Sequence, residues 1–163
     1  MAPSAAPPSP PEPLRLRNAR MEECEALSAL CLRSKAHWGY DATFVEACAP
    51  YLRIEAHCVE VGHAFVALDH ADQIVGVCQI DPGNASGNLD LLFIDPDQIG
   101  TGAGRILFQD AAQRLREAGE TVMTILSDPD ARGFYERMGA IFLEDRPSDV
   151  FKGRTLPWLE MKL

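Results

Sequence analysis

The stretch Leu91-Leu92-Phe93-Ile94-Asp95-Pro96-Asp97-Gln98-Ile99-Gly100-Thr101-Gly102-Ala103-Gly104-Arg105 reads as a strand, a tight turn and the start of a helix. Its apolar run closes at Asp95-Pro96, and glycines then alternate at 100, 102 and 104. Glycine permits backbone dihedrals that a Cβ forbids and lets a ligand approach the main chain closely. A helix start behind such a turn offers unpaired N–H groups and a partial positive charge. Together these features make a site for a pyrophosphate. The plain alternative is a tight strand-to-helix turn that binds nothing.

Two familiar phosphate loops fail on spacing. A Walker loop ends in Gly-Lys-Ser/Thr, and here Arg105-Ile106 follows Gly104. A dinucleotide fingerprint needs Gly-x-Gly-x-x-Gly; counted from Gly100 or Gly102, its last position falls on Arg105 or Leu107.

Working outward, Ala103, Leu107, Phe108, Ala111, Leu115 and Ala118 trace one face of a helix over 102–118, stopped by Gly119. Thr121 to Leu126 follows as a buried strand, then a short helix from Asp130 to Met138 ended by Gly139. Two last strands are expected at Ile141–Glu144 and Leu156–Leu163. Upstream, Asn88–Ile94 is a strand. His63–Leu68 and Gln73–Ile80 form a hairpin about the turn 69–72. Leu14 and Leu16 alternate with Arg15 and Arg17 as a first strand. A helix spans Met21 to Ser34, with Cys24, Leu27, Cys31 and Ser34 on one face. Asp41 caps a second helix, with Phe44, Val45, Cys48 and Leu52 inward, that bends or ends at Pro50. The fold class is α+β (mixed α/β): a central, mostly antiparallel twisted sheet of about six to seven strands, flanked by about four helices.

The alternate glycines after Ile94-Asp95-Pro96 resemble the acetyl-CoA loop of the GNAT superfamily of N-acetyltransferases, Arg/Gln-x-x-Gly-x-Gly/Ala. Gly102 and Gly104 fall on its glycine positions, and Ile99 stands where Arg or Gln is usual, with Gln98 one residue early. A second motif lies 24 residues beyond Gly104. Asp128-Pro129-Asp130-Ala131-Arg132-Gly133-Phe134-Tyr135-Glu136-Arg137-Met138-Gly139-Ala140 is similar to the superfamily's Asn-x-x-Ala-x-x-Phe-Tyr-x-x-x-Gly-Phe segment, with Asp128 for Asn and Ala140 for Phe. Two motifs in order are more specific than either alone, and the resemblance covers 14–163 as one GNAT-like domain.

The resemblance implies direct transfer of an acetyl group from acetyl-CoA to an amine of a small molecule or a protein, without a metal. It implies that Phe93 and Ile94 pair with the pantetheine arm. The backbone amides of residues 100 to 105 (from Ile99 and Gly100 through Thr101, Gly102, Ala103 and Gly104) hold the pyrophosphate, with side-chain charge from Arg105. Asp128 and Phe134 stand beside the cofactor, and Tyr135 protonates the departing sulfur. A base must also take the amine proton. Asp90 is one candidate, since strict alternation puts Asp90, Leu92 and Ile94 on one face and Leu89, Leu91 and Phe93 on the other. His37 and Tyr40 are the others. In such folds the link between the first two helices borders the acceptor site, so His37, Trp38 and Tyr40 are candidate substrate contacts, with cation–π attraction for a charged amine. The segments 146–148 and 153–157 border the same cleft. A non-catalytic acetyl-CoA or CoA sensor on the same fold is the second reading, and a nucleotide-phosphate protein the third.

Composition sets outer limits. A net charge of −9 opposes binding to nucleic-acid phosphates or an anionic membrane. Five cysteines at 24, 31, 48, 58 and 78 contain no Cys-x-x-Cys and read as small buried hydrophobes, which suits a reducing cytoplasm. Six prolines in residues 1–13 predict a disordered arm without the apolar run of a signal peptide. Members of the superfamily are often dimers, so the resemblance allows a homodimer.

Overall fold

The structure, a computed structural model, describes residues 13–83 and 86–163. The expected disordered arm, 1–13, therefore lies outside the described residues except for Pro13.

Strand β1 (Arg15–Asn18) leads through a 3-10 turn at Met21–Glu23 into helix α1 (Cys24–Ala36). The Glu23 carboxylate fixes this entry: it accepts from the Arg20 amide at 2.8 Å and from the Arg17 guanidinium at 2.7 and 3.0 Å. Helix α2 (Ala42–Cys48) starts where the Asp41 side chain accepts from the Phe44 amide at 2.8 Å. It gives way to a 3-10 turn at Ala49–Tyr51, where Pro50 removes a donor. The short helix α3 (Ala56–Glu60) then precedes β2 (Ala64–Leu68), β3 (Ile74–Asp81) and β4 (Gly87–Ile94). After the glycine turn come α4 (Ala103–Glu117), β5 (Val122–Leu126), α5 (Arg132–Arg137), β6 (Ile141–Pro147) and β7 (Thr155–Lys162).

The seven strands form one sheet in the order β1-β2-β3-β4-β5-β7-β6. Every pairing is antiparallel except β4 with β5. The sheet thus agrees with expectation, and the helices among the described residues number five rather than about four. The extra one, α3, is too short to show a helical period. Strand β6 also runs three residues past the expected Glu144, to Pro147.

Apolar side chains fill both faces. On one, Leu107, Phe108, Ala111 and Leu115 of α4 pack on Met123, Ile125 and Leu159. On the other, Leu27, Leu30 and Cys31 of α1 pack on Val66, Val77 and Leu91.

Strand β4 corrects one sequence expectation. Gln79 pairs with Leu91, but the next residue, Ile80, pairs with Leu89, so Asp90 is the extra residue of a β-bulge. The bulge breaks the period of two. Leu89 packs with Leu92 and Ile94 on the α4 face, while Leu91 and Phe93 face the α1 side. Leu89 therefore does not share a face with Leu91 and Phe93 as strict alternation demands.

A second irregularity opens the sheet. Strands β4 and β5 pair only where Gly87–Leu89 meet Met123–Ile125. From Asp90 onward β4 has no strand partner on that side among the described residues, and the parallel strands part as a wedge. Strand β5 continues against β7, Leu126 pairing with Trp158.

Candidate active site

The glycine turn closes the wide end of this wedge. Asp95 caps a 3-10 turn at Pro96–Gln98, its side chain accepting from the Asp97 amide at 3.1 Å. The Gln98 carbonyl then accepts from the Thr101 hydroxyl at 2.7 Å and the Thr101 amide at 3.3 Å. Gly100 and Gly102 hold φ of +87° and +92°, which L side chains rarely adopt. The first backbone bond of α4 runs from the Ile106 amide to the Gly102 carbonyl at 3.2 Å. The amides of Gly102, Ala103, Gly104 and Arg105 precede it and have no backbone acceptor among the described residues. Gly104 faces the Phe134 ring of α5, where a Cβ would lie 3.4 Å away, in ordinary contact.

Between these elements lies a mostly apolar cavity of about 700 Å³. Asp90, Phe93 and Ile94 line it from β4; Ile99, Gly100, Gly102, Gly104 and Arg105 from the turn; Phe134 and Tyr135 from α5. Asp128, Trp38 and the β6–β7 loop complete the wall. Thr101 does not line it, because both its donors turn back to Gln98. Neither does Ala103, whose methyl is buried under the helix. The expected run of phosphate-facing amides from 100 to 105 thus narrows, since the Thr101 amide is already paired.

Tyr135 is buried, with its ring edge-on to Phe134 at 5.2 Å and tilted to Phe108 at 5.9 Å. Burial pushes its hydroxyl well above the ordinary tyrosine value, so the proton stays on. That hydroxyl has no hydrogen-bond partner among the described residues, while every fully buried side-chain N or O has one. Tyr135 lines the cavity, and its oxygen is not fully buried.

Asp90 sits at the cavity mouth on the bulge, and its carboxylate accepts from the Asn88 side-chain amide. Desolvation, with a smaller contribution from the like charge of Asp81, lifts it above the usual carboxylate range.

Asp128 is the hub of a polar cluster that joins four segments. Its carboxylate is paired with the Lys35 ammonium of α1. It accepts from the Tyr40 hydroxyl at 3.0 and 3.1 Å and from its own turn at the Asp130 amide at 3.1 Å. Arg154 of the β6–β7 loop lies 3.6 Å away and donates to the Tyr40 oxygen at 2.8 Å. Hydrogen bonds and charge from Lys35, against the cost of desolvation, hold the Asp128 carboxyl below its ordinary value. Desolvation and the Asp128 charge raise the Tyr40 hydroxyl to about 12.

This cluster changes the expected acceptor wall. Tyr40 does not line the cavity: its ring stacks on Phe44 at 4.4 Å and its hydroxyl is spent on Asp128. A hydroxyl raised and paired in this way is unsuited to be a base. His37 is exposed, edge-on to Trp38 at 5.4 Å and outside the cavity. Of the three, only Trp38 borders the cavity, and it is 48% exposed. Sequence reasoning missed Lys35, although a signal existed. It falls among Leu27, Leu30, Cys31 and Ser34 on the buried face of α1, and a lysine there demands a counter-charge.

Free helix-start amides, a parted pair of parallel strands and a buried tyrosine meet at one cavity. The family described as Acetyltransferase (GNAT) domain matches residues 21–163, and the chain belongs to it. The chain is 32% identical over 131 residues to the peptidyl-lysine N-acetyltransferase YjaB of Escherichia coli (strain K12), covering 77% of this chain and 81% of that protein. The solution structure of apo YjaB superposes with a TM-score of 0.65 at 27% identity, over 93% of this chain and 97% of that one. The PaiA N-acetyltransferase of Thermoplasma acidophilum, solved in complex with coenzyme A, superposes with a TM-score of 0.73 at 15% identity, over 93% and 100%. No described helix is long and apolar enough to cross a membrane, and the described residues contain no group of three or more metal-ligating side chains.

Proposed function

We propose that this GNAT acetyltransferase moves an acetyl group from acetyl-CoA directly to a primary amine. The observation that carries the reading is the set of free amides at Gly102–Arg105, opening on the wedge between β4 and β5 with Tyr135 beside it. A pyrophosphate fits there, since donors, helix dipole and a side-chain cation at Arg105 coincide. The unpaired edge of β4 at Phe93 and Ile94 fits a β-strand-like pairing with the pantetheine amides. Acetyl-CoA supplies an activated thioester acyl group.

The remaining chemistry belongs to two side chains. Asp90, its pKa raised chiefly by desolvation, takes the proton that the ammonium form of the acceptor must lose. Tyr135 keeps its proton until the departing sulfur needs one. The likeness to YjaB supports a lysine-type amine as acceptor.

The test is a panel of amines with free CoA as readout; release above the hydrolysis background supports transfer, and acetyl-CoA binding without release favours a sensor. Tyr135→Phe is expected to lower kcat by about 10- to 100-fold, near the low end for a lost general acid. Acetyl-CoA affinity should hold, because the ring that packs on Phe134 remains. Full turnover in that variant would remove the acid role. For Asp90, kcat/KM should rise with pH through a midpoint above the ordinary carboxylate range, since only the ionised form accepts a proton. Asp90→Asn should erase that acidic limb and cost about 100-fold; an unchanged profile would assign the base elsewhere.

A further inference from the structure

We propose that Arg154 recognises the acceptor, and that it selects amines bearing a carboxylate close by. The proposal rests on the acetyl-transfer reading and names the substrate class for that same site.

Arg154 lines the cavity from the β6–β7 loop, and its side chain is only 20% exposed. It is held from several sides. One guanidinium nitrogen donates to the Tyr40 oxygen at 2.8 Å, and the group lies 4.8 Å from the Phe44 ring centre and 5.3 Å from that of Tyr40. Its own amide donates to the Phe151 carbonyl at 3.2 Å. Such a fixed fork loses little entropy on binding a planar anion.

The charge count around it does not balance. Asp128 supplies one negative charge, while Lys35 and Arg154 supply two positive ones. Lys35 makes the shorter pair, which leaves Arg154 at 3.6 Å; among the described residues only one of the five guanidinium donors makes a hydrogen bond, to Tyr40. A mostly buried cation with idle donors gains from a ligand carboxylate, which can accept two parallel hydrogen bonds. Asp130 and Asp149 also line the cavity; both are exposed, and although the Asp130 charge reaches Tyr40, neither pairs with Arg154 among the described residues. Asp90, also on the cavity wall, suits the amine. An acceptor with an amine at one end and a carboxylate at the other matches both.

The carboxylate has two sources: a free amino acid's own, or an acidic residue beside the lysine of a peptide. Measure CoA release with L-lysine against cadaverine, its decarboxylated counterpart, and with lysyl peptides carrying Glu or Gln next to the lysine. At least one pair should show a preference of about 10-fold or more in kcat/KM for the carboxylate-bearing member. The pair that shows it identifies the source. Arg154→Gln should bring that ratio close to one, through KM for the acceptor, with KM for acetyl-CoA unchanged. Arg154→Lys should restore part of it, which a purely structural role would not predict. No preference in either pair, or an equal loss for both members in Arg154→Gln, would overturn the proposal. If acetyl-CoA binds but no amine releases CoA, the transfer reading fails by itself. Calorimetry of L-lysine and the Glu peptide titrated into CoA-saturated protein then decides: heat that disappears in Arg154→Gln upholds anion recognition, and no heat in the unmodified protein ends it.

Discussion

Gly102→Val is expected to abolish measurable acetyl-CoA binding while leaving a folded protein. Gly102 holds φ of +92°, and a Cβ there meets nothing within 4 Å. Valine thus pays a backbone penalty of roughly 1–3 kcal/mol for its conformation. Gly102 lines the cavity, so the added side chain also crowds the turn proposed to hold the pyrophosphate. Relaxing the strain would turn the amides of Gly102–Arg105 away from their common focus. Each hydrogen bond to a charged group is worth about 1.5–3 kcal/mol, so losing two of them weakens binding by at least about 100-fold. Calorimetry measures this, with thermal melting to show that the variant folds. Gln98→Ala is the control, expected to change affinity less than about twofold. Gln98 does not line the cavity and serves the turn through its backbone carbonyl. A large loss from Gln98→Ala would mean that the motif register is displaced by one residue.

Asp128→Ala should produce the largest loss of stability among these variants, about 2–4 kcal/mol by urea denaturation. It strands the Lys35 ammonium, 9% exposed, and removes the acceptor of the Tyr40 hydroxyl. A buried charge without its partner costs more than the pair gained. Asp128→Asn should cost less, because the amide oxygen still accepts from Tyr40 and Lys35. The pH dependence has a definite sign. The folded-state pKa of Asp128 is depressed, so its contribution is complete above the ordinary carboxylate value and fades as pH falls through the folded one. Asp128→Ala should therefore lose less further stability on acidification than the unmodified protein. Equal acid sensitivity would show that Asp128 is not the hub.

These two residues also mark how far the sequence could be read. The glycine turn was legible because its signal is local: alternate glycines between an apolar run and an amphipathic helix imply their backbone whatever surrounds them. Tyr135 was legible from a motif and its spacing, and the structure places it on the same cavity as the turn. The strands followed from their periods, and the helices too, except α3, which spans too few residues to carry one. What stayed hidden was non-local. The Asp90 bulge depends on how β3 registers against β4, and no pattern within β4 announces an extra residue. The Asp128 cluster joins positions 35, 40, 128 and 154, which only the folded chain brings together. Tyr40 was therefore expected on the acceptor wall, whereas its hydroxyl and ring are both engaged inside that cluster.

The most direct test of the central claim is the amide spectrum of the isotopically labelled protein as acetyl-CoA is added. The account predicts saturating shifts concentrated at the Gly102, Ala103, Gly104 and Arg105 amides, with a second group at Phe93 and Ile94 on the open edge of β4. Shifts that leave 102–105 untouched, or that centre elsewhere in the chain, would contradict it.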